Sequence, residues 1–352
     1  MGMLQCVQEG HFLEASLDMT SVVEQGRWQT EEGALCELLG RGILQITPLK
    51  PTGLEKEIVL SSGIHGDETS PVELIQQLVE RIVVGGLQPV HRLLFIIGHP
   101  EAINHQQRFI TENMNRLFKQ KNTGLTADAV RANEIQLAIS AFYHNRVKDR
   151  EFSLSSLRWH LDLHCAIRDS KYYTFAVSPY THKPTRSKTL FGFLQKAEIE
   201  TVLLSNSPSS TFSWFSAEHF GAQALTLELG RVARFGENDL IRLAPFFDAL
   251  VELVSEPNPD YHWQDNLLTI YKVTRTLVKQ SERFVFSFPD DQANFTFYEQ
   301  GRLLARDQNV EYYSLEGGEA IVFPNRHVMI GQRACLLVRK TEVNVDEQIT
   351  LQ

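Results

Sequence analysis

Residues 57–84 read EIVLSSGIHGDETSPVELIQQLVERIVV, and the fold turns on how this stretch is parsed. EIVLSS (57–62) is a short apolar run of strand length. From Ser70 onward apolar residues recur at helical spacing, with Pro71 where a first helical turn tolerates it. The spacing predicts a helix over 70–84. Between the two lies GIHGDE (63–68), a glycine-flanked turn holding a histidine and a glutamate three residues apart. Strand, turn and helix in this order open an alternating α/β arrangement.

The alternation continues along the chain. RLLFIIG (92–98) is a second apolar run, and a helix is expected over about 127–147. Strands are expected at 159–163, 172–177, 201–205 and 223–228, and a further helix at about 237–254. This pattern predicts a mixed, largely parallel sheet flanked by helices on both faces. After SEPNPD (255–260) the pattern changes to short β-type runs: RFVFSF, FTFY, RLLAR, EYYSL, EAIVFP and ACLLVRK. Alternating Phe284, Phe286 and Phe288 have the period of a β core. The chain therefore divides into an N-terminal extension (1–50), a catalytic unit (51–256) and a smaller all-β domain (257–352). In the extension, GALCELLGRGILQITPL is the expected strand pair, packed on the catalytic unit.

Composition narrows the function classes. The 352 residues carry 43 acidic and 34 basic side chains, a formal charge of −9. This disfavours nucleic acid and acidic membrane surfaces as partners. An anionic small-molecule substrate would need a local group of arginines. The four cysteines, Cys6, Cys36, Cys165 and Cys335, form no paired motif, so neither a disulfide framework nor a cysteine-only zinc site is expected. Without a secretory or membrane-spanning segment, a cytoplasmic setting is expected. Nothing in the sequence sets the oligomeric state.

Ligands of open α/β sheets sit beyond the carboxyl ends of the strands. GIHGDE follows strand 57–62, DLHCAIR (162–168) closes strand 159–163, and ELGR (228–231) closes strand 223–228. Three strand ends thus bring His65, Glu68, His164 and Glu228 to one rim. Two imidazoles and one carboxylate suit Zn²⁺ with a fourth position left for water. A second glutamate outside the metal can then take a proton from that water. Gly63 and Gly66 let the turn bend tightly. Asp162, on the same strand face as His164, is placed to hold the N–H of that histidine. The plainer reading of H-x-x-E alone is a polar turn. His99, His105, His160, His182 and His219 read as surface or packing residues, and Cys165 as a small buried one.

GIHGDETSP, ENMNRLF, DLHCAIR and TLELGR occur in this order, and together they resemble the succinylglutamate desuccinylase and aspartoacylase family, relatives of the zinc carboxypeptidases. HGDET and DLHCAIR look closer to the desuccinylase branch. Where the family often has Gly-Asn-Pro, this chain has Gly98-His99-Pro100. The resemblance implies a zinc carboxypeptidase-like fold with a β-rich tail. It implies one Zn²⁺ on His65, Glu68 and His164, and Glu228 as general base and then acid. It also implies Arg108 at the scissile carbonyl and Asn115 with Arg116 on the α-carboxylate. The activity implied is hydrolysis of N-succinyl-L-glutamate, the last step of the succinyl route of arginine breakdown. A third substrate carboxylate needs another cation, for which Arg168 is the candidate and Arg231 and Arg234 are weaker ones. The alternatives are a deacylase of another N-acyl acidic amino acid, or a homologue that binds metal or carboxylate without turnover.

Overall fold

The computed structural model describes residues 1–50, 55–119, 124–144, 157–265 and 267–351. Among these residues, thirteen strands join in one sheet. At its centre Arg92–Ile97, Glu57–Ser62, Arg158–Ala166 and Gln223–Arg231 lie side by side, all parallel. Thr174–Ser178 runs antiparallel to Gln223–Arg231, then Thr201–Leu204 runs parallel to Thr174–Ser178. In this central part the architecture is the mixed, mostly parallel sheet with flanking helices that the strand and helix spacing predicts.

Burial explains why the central strands read as unbroken apolar runs. All six residues of Glu57–Ser62 are buried. Ile58 and Leu60 pack with Val72, Ile75 and Val79 of helix Ser70–Val83 on one face. Val59, Leu94 and Ile96 pack with Ile135, Ile139 and Phe142 of helix Ala127–His144 on the other. A strand covered on both faces cannot alternate with water. The expected last turn of that helix, 145–147, lies outside the described residues, as do residues 51–54 at the first segment boundary.

Both ends of the chain extend the same sheet. Ala34–Gly40 and Ile43–Pro48 form the expected hairpin, and Ile43–Pro48 pairs antiparallel with Arg92–Ile97. At the other side Thr269–Val278 pairs parallel with Thr201–Leu204 and antiparallel with Arg333–Lys340. Val285–Phe286, Leu303–Asp307 and Val310–Tyr313 form a separate three-stranded sheet. Phe284, Phe286 and Phe288 pack into its core.

One expectation is corrected and one is added to. The helix expected from 237 begins at Ala244, because Pro245 occupies its first turn. A proline ring further inside would clash with the carbonyl four residues before it. The N-terminal extension also holds two short helices, Met3–Gln8 and Phe12–Leu17. Six residues make fewer than two turns, too few to show a helical period. No helix among the described residues is long and apolar enough to cross a membrane.

Candidate active site

The three carboxyl ends meet on one rim because the strands carrying them are parallel neighbours. Ser61 pairs in register with Asp162, and His164 with Glu228. The turn after Ser62 folds tightly for two distinct reasons. Gly63 has φ +64°, the left-handed region that favours glycine. At Gly66 the reason is space: a Cβ there would lie 2.2 Å from the Ala102 carbonyl carbon and 2.4 Å from the Ile103 nitrogen. The Gly66 N–H also donates to the Arg108 carbonyl at 3.3 Å, tying this turn to the loop that carries Arg108. Gly66→Ala must push two backbone segments apart. It is expected to lower stability by about 1–3 kcal/mol and to loosen the metal-ligand cluster. Denaturant unfolding and metal content check this.

His65, Glu68 and His164 converge, each offering a ligand atom within 4.8 Å of the others. All three are buried, at 2–3 % exposure. His65 Nδ1 is 2.9 Å from Glu68 Oε1 and 3.2 Å from His164 Nδ1, which is itself 2.8 Å from Glu68 Oε2. The other nitrogen of each ring is held from behind. His65 Nε2–H donates to Asn113 Oδ1 at 3.0 Å, and His164 Nε2–H donates to Asp162 Oδ2 at 3.0 Å. Both Nδ1 atoms therefore face one point shared with a carboxylate. This oxygen–imidazole–metal pattern is the usual one for bound divalent cations, so the donor set fits a single metal ion.

Electrostatics follow from this crowding. Burial holds His65 down to about 4, with Arg108 adding to the effect. At His164 burial is outweighed by Asp162 and Glu68, which raise it well above the usual imidazole range. Burial opposes ionisation of Glu68, but His65, His164 and Arg108 keep it well below the usual carboxyl range. Arg108 Nη1 donates to Glu68 Oε1 at 2.6 Å, which places its guanidinium against the cluster.

Glu228 stands outside the three-residue cluster. It is 7 % exposed, and its buried Oε2 has no hydrogen-bond partner among the described residues. Burial pushes its carboxyl up to about 7, and the charge of Glu68 adds to this. A buried carboxylate oxygen is costly to leave unpaired, and this one is aimed at the rim where chemistry is expected.

The loop from 108 to 116 is organised by residues whose roles the sequence does not advertise. Asn113 caps the short turn Met114–Arg116, accepting the Asn115 N–H with the same Oδ1 that holds His65. Asp128 accepts the N–H groups of Ile110, Thr111 and Glu112, and His99 Nε2 lies 3.1 Å from it. His99, the departure in Gly98-His99-Pro100, also caps helix Pro100–Asn104 through Nδ1. Asn115 Oδ1 accepts the Phe212 N–H at 2.9 Å, so its amide nitrogen is the group left to face a ligand. Burial lowers Arg116 to about 10, and Arg333 and Arg108 are its cationic neighbours. Arg116 and Arg333 both keep exposed surface while surrounding protein lowers their pKa. Arg333 opens strand Arg333–Lys340, packs over the Phe323 ring at 5.7 Å, and has no ion pair among the described residues. An unpaired arginine near the start of a β run gives no signal in sequence.

The other candidates are placed differently. Arg168 donates to the Asp290 carbonyl, with the charges of Asp290 and Asp291 nearby. Arg231 is paired with Asp169 at 3.0 Å, both largely exposed. Cys165 is buried, and burial with the nearby Glu68 charge raises its thiol well above the usual range, which suits a packing residue. His105, His182 and His219 are exposed, whereas His160 is fully buried.

Comparison with known proteins places these features in context. Residues 55–254 match the succinylglutamate desuccinylase/aspartoacylase catalytic domain, and residues 266–341 match the AstE/AspA barrel-sandwich hybrid domain. The chain is 46 % identical over 336 residues to the succinylglutamate desuccinylase of Vibrio vulnificus, covering 96 % of each protein. It superposes on the crystal structure of the Vibrio parahaemolyticus protein of that name with TM-score 0.90 at 44 % identity, covering 97 % of this chain and 98 % of that one. The Chromobacterium violaceum structure is similar at TM-score 0.79 and 30 % identity, covering 94 % and 98 %.

Proposed function

Because the chain belongs to the succinylglutamate desuccinylase/aspartoacylase family, we propose that it is a zinc-dependent amide hydrolase that cleaves N-succinyl-L-glutamate to succinate and L-glutamate. This reaction closes the succinyl route of arginine breakdown. The observation that carries the chemistry is the buried, unpartnered Glu228 carboxylate beside a His–Glu–His metal cluster.

His65, Glu68 and His164 hold the zinc ion, which when bound supplies Lewis acidity to the attacking water and the scissile carbonyl. Glu228 takes a proton from the water and returns it to the leaving amine. A carboxyl shifted toward 7 by burial can do both near neutral pH. Arg108 stabilises the oxygen as it gains charge. Asn115 donates its amide N–H to the α-carboxylate, and Arg116 supplies a planar fork for the same group.

The substrate carries three carboxylates, which suits a site where Arg116 has Arg108 and Arg333 as cationic neighbours. The succinyl end needs its own cation, since a carboxylate buried without a partner is strongly unfavourable. Arg168 and Arg333 are the two candidates. Arg168 has acidic neighbours in Asp290 and Asp291, whereas Arg333 has none that pairs with it.

The test compares N-succinylglutamate, N-acetylglutamate and N-acetylaspartate with the zinc-loaded protein. The succinyl substrate is expected to be strongly preferred. Equal kcat/KM for succinyl and acetyl substrates would end the desuccinylase reading. Arg168→Ala and Arg333→Ala then locate the contact. The one that holds the succinyl carboxylate narrows the preference by about 2–5 kcal/mol, while the acetyl substrate is little affected.

A further inference from the structure

Three buried side chains continue inward from Asp162, and the mechanism above uses none of them. Asp162 Oδ1 accepts the Ser61 hydroxyl at 2.6 Å. Ser61 Oγ is 2.9 Å from His160 Nε2, and His160 Nδ1 is 2.7 Å from Ser216 Oγ. Asp162, Ser61, His160 and Ser216 are all 0 % exposed, so no bulk water reassigns these bonds.

Counting protons fixes their direction. Asp162 Oδ2 accepts from His164 Nε2–H, and Ser61 Oγ–H donates to its other oxygen, Oδ1, at 2.6 Å. The single Ser61 proton therefore goes to Asp162, and Ser61 must accept from His160 Nε2–H. Burial lowers His160 to about 4, so its ring is neutral and its Nδ1 is a lone pair. Ser216 donates to that lone pair at 2.7 Å in preference to the Phe212 carbonyl at 3.3 Å. Donation runs one way, from Ser216 to His160 to Ser61 to Asp162.

We propose that Ser61, His160 and Ser216 are positioning residues that, by ordering the hydrogen bonds of Asp162, fix the tautomer and orientation of the metal ligand His164. With Oδ1 taken by Ser61, Asp162 offers Oδ2 to His164 Nε2–H, and the ring keeps Nδ1 toward Glu68 and His65. The inner end of the chain touches the substrate side. Phe212 packs edge-on against His160 with centroids 4.5 Å apart and donates its N–H to Asn115. The first turn of helix Phe212–Phe220 thereby braces both the metal ligand and the proposed carboxylate-binding amide. The proposal rests on reading His65, Glu68 and His164 as the metal centre.

Two measurements test it. Nitrogen NMR of ¹⁵N-histidine-labelled parent protein is expected to show neutral His160 protonated on Nε2 near pH 7. A proton on Nδ1, or a cationic ring, overturns the ordering without any variant having to fold. Zinc affinity by chelator competition is then measured for Ser61→Ala and Ser61→Thr. Ser61→Ala is expected to bind zinc about 10–100-fold more weakly and Ser61→Thr, which keeps the hydroxyl, to recover most of the loss. The visible spectrum of the cobalt-loaded Ser61→Ala protein should shift as His164 loses its fixed orientation. A parent that binds zinc beside a Ser61→Ala protein of equal affinity overturns this proposal alone. A parent that binds no zinc overturns the metal reading, and this proposal with it.

Discussion

Glu228→Gln is expected to keep its zinc and lose turnover by a factor of about a hundred or more. The carboxylate lies outside the His65, Glu68 and His164 cluster, so metal content should not change. Glutamine keeps the volume and one carbonyl oxygen but cannot exchange a proton. The pH profile gives the role a second signature. Burial raises the Glu228 pKa to about 7, and a base works only when deprotonated. The parent rate should rise with pH through that pKa, at or below about 7 because a bound cation favours the carboxylate. The residual rate of the variant should lack this limb. If metal content fell in step with activity, Glu228 would be a ligand and the division of roles would be wrong.

His164→Ala and His65→Ala are expected to empty the site and abolish measurable turnover. Each removes one of the three proposed ligands and leaves a buried carboxylate, Glu68, without a principal partner. In His164→Ala, Asp162 also loses its imidazole contact. Zinc stoichiometry should fall from one per chain to near zero. The parent should gain about 2.7 kcal/mol of stability when free zinc exceeds its Kd a hundredfold, and the variants should gain none. Full occupancy in both variants would refute the ligand assignment.

The fold class is legible in the sequence because buried parallel strands are apolar throughout and some of the helices between them keep an amphipathic period. Glu57–Ser62 and Ser70–Val83 are the plainest case. Two of the ordered motifs, GIHGDETSP and DLHCAIR, each at a strand end, bring the candidate cluster into view. The supporting residues stay hidden for a physical reason. Ser61 and His160 lie 99 positions apart, and each reads alone as an ordinary strand residue. Asn113 reads as a cap for a turn, and only the fold shows that the same oxygen holds His65. Arg333 is brought beside Arg116 by a strand order that no local pattern encodes. The two N-terminal helices are hidden by shortness alone.

Strand Thr201–Leu204 has a consequence for how the protein is made. All four residues are buried, and one long edge is satisfied only by Thr269–Val278, in the register Thr201 to Thr269 through Leu204 to Lys272. The hydroxyl of Thr201 reaches the carbonyl of Thr269, 68 positions later. During synthesis the catalytic half therefore exists for a time with a bare, apolar edge strand, the kind of template on which chains stick to one another. A chain ending after residue 256 would keep every residue of the metal cluster and Glu228, yet remain in that sticky state. The tail strand thus closes that edge once it is made, and a recombinant joined to a relative at the 255–260 loop is expected to need the same four-residue register to close it.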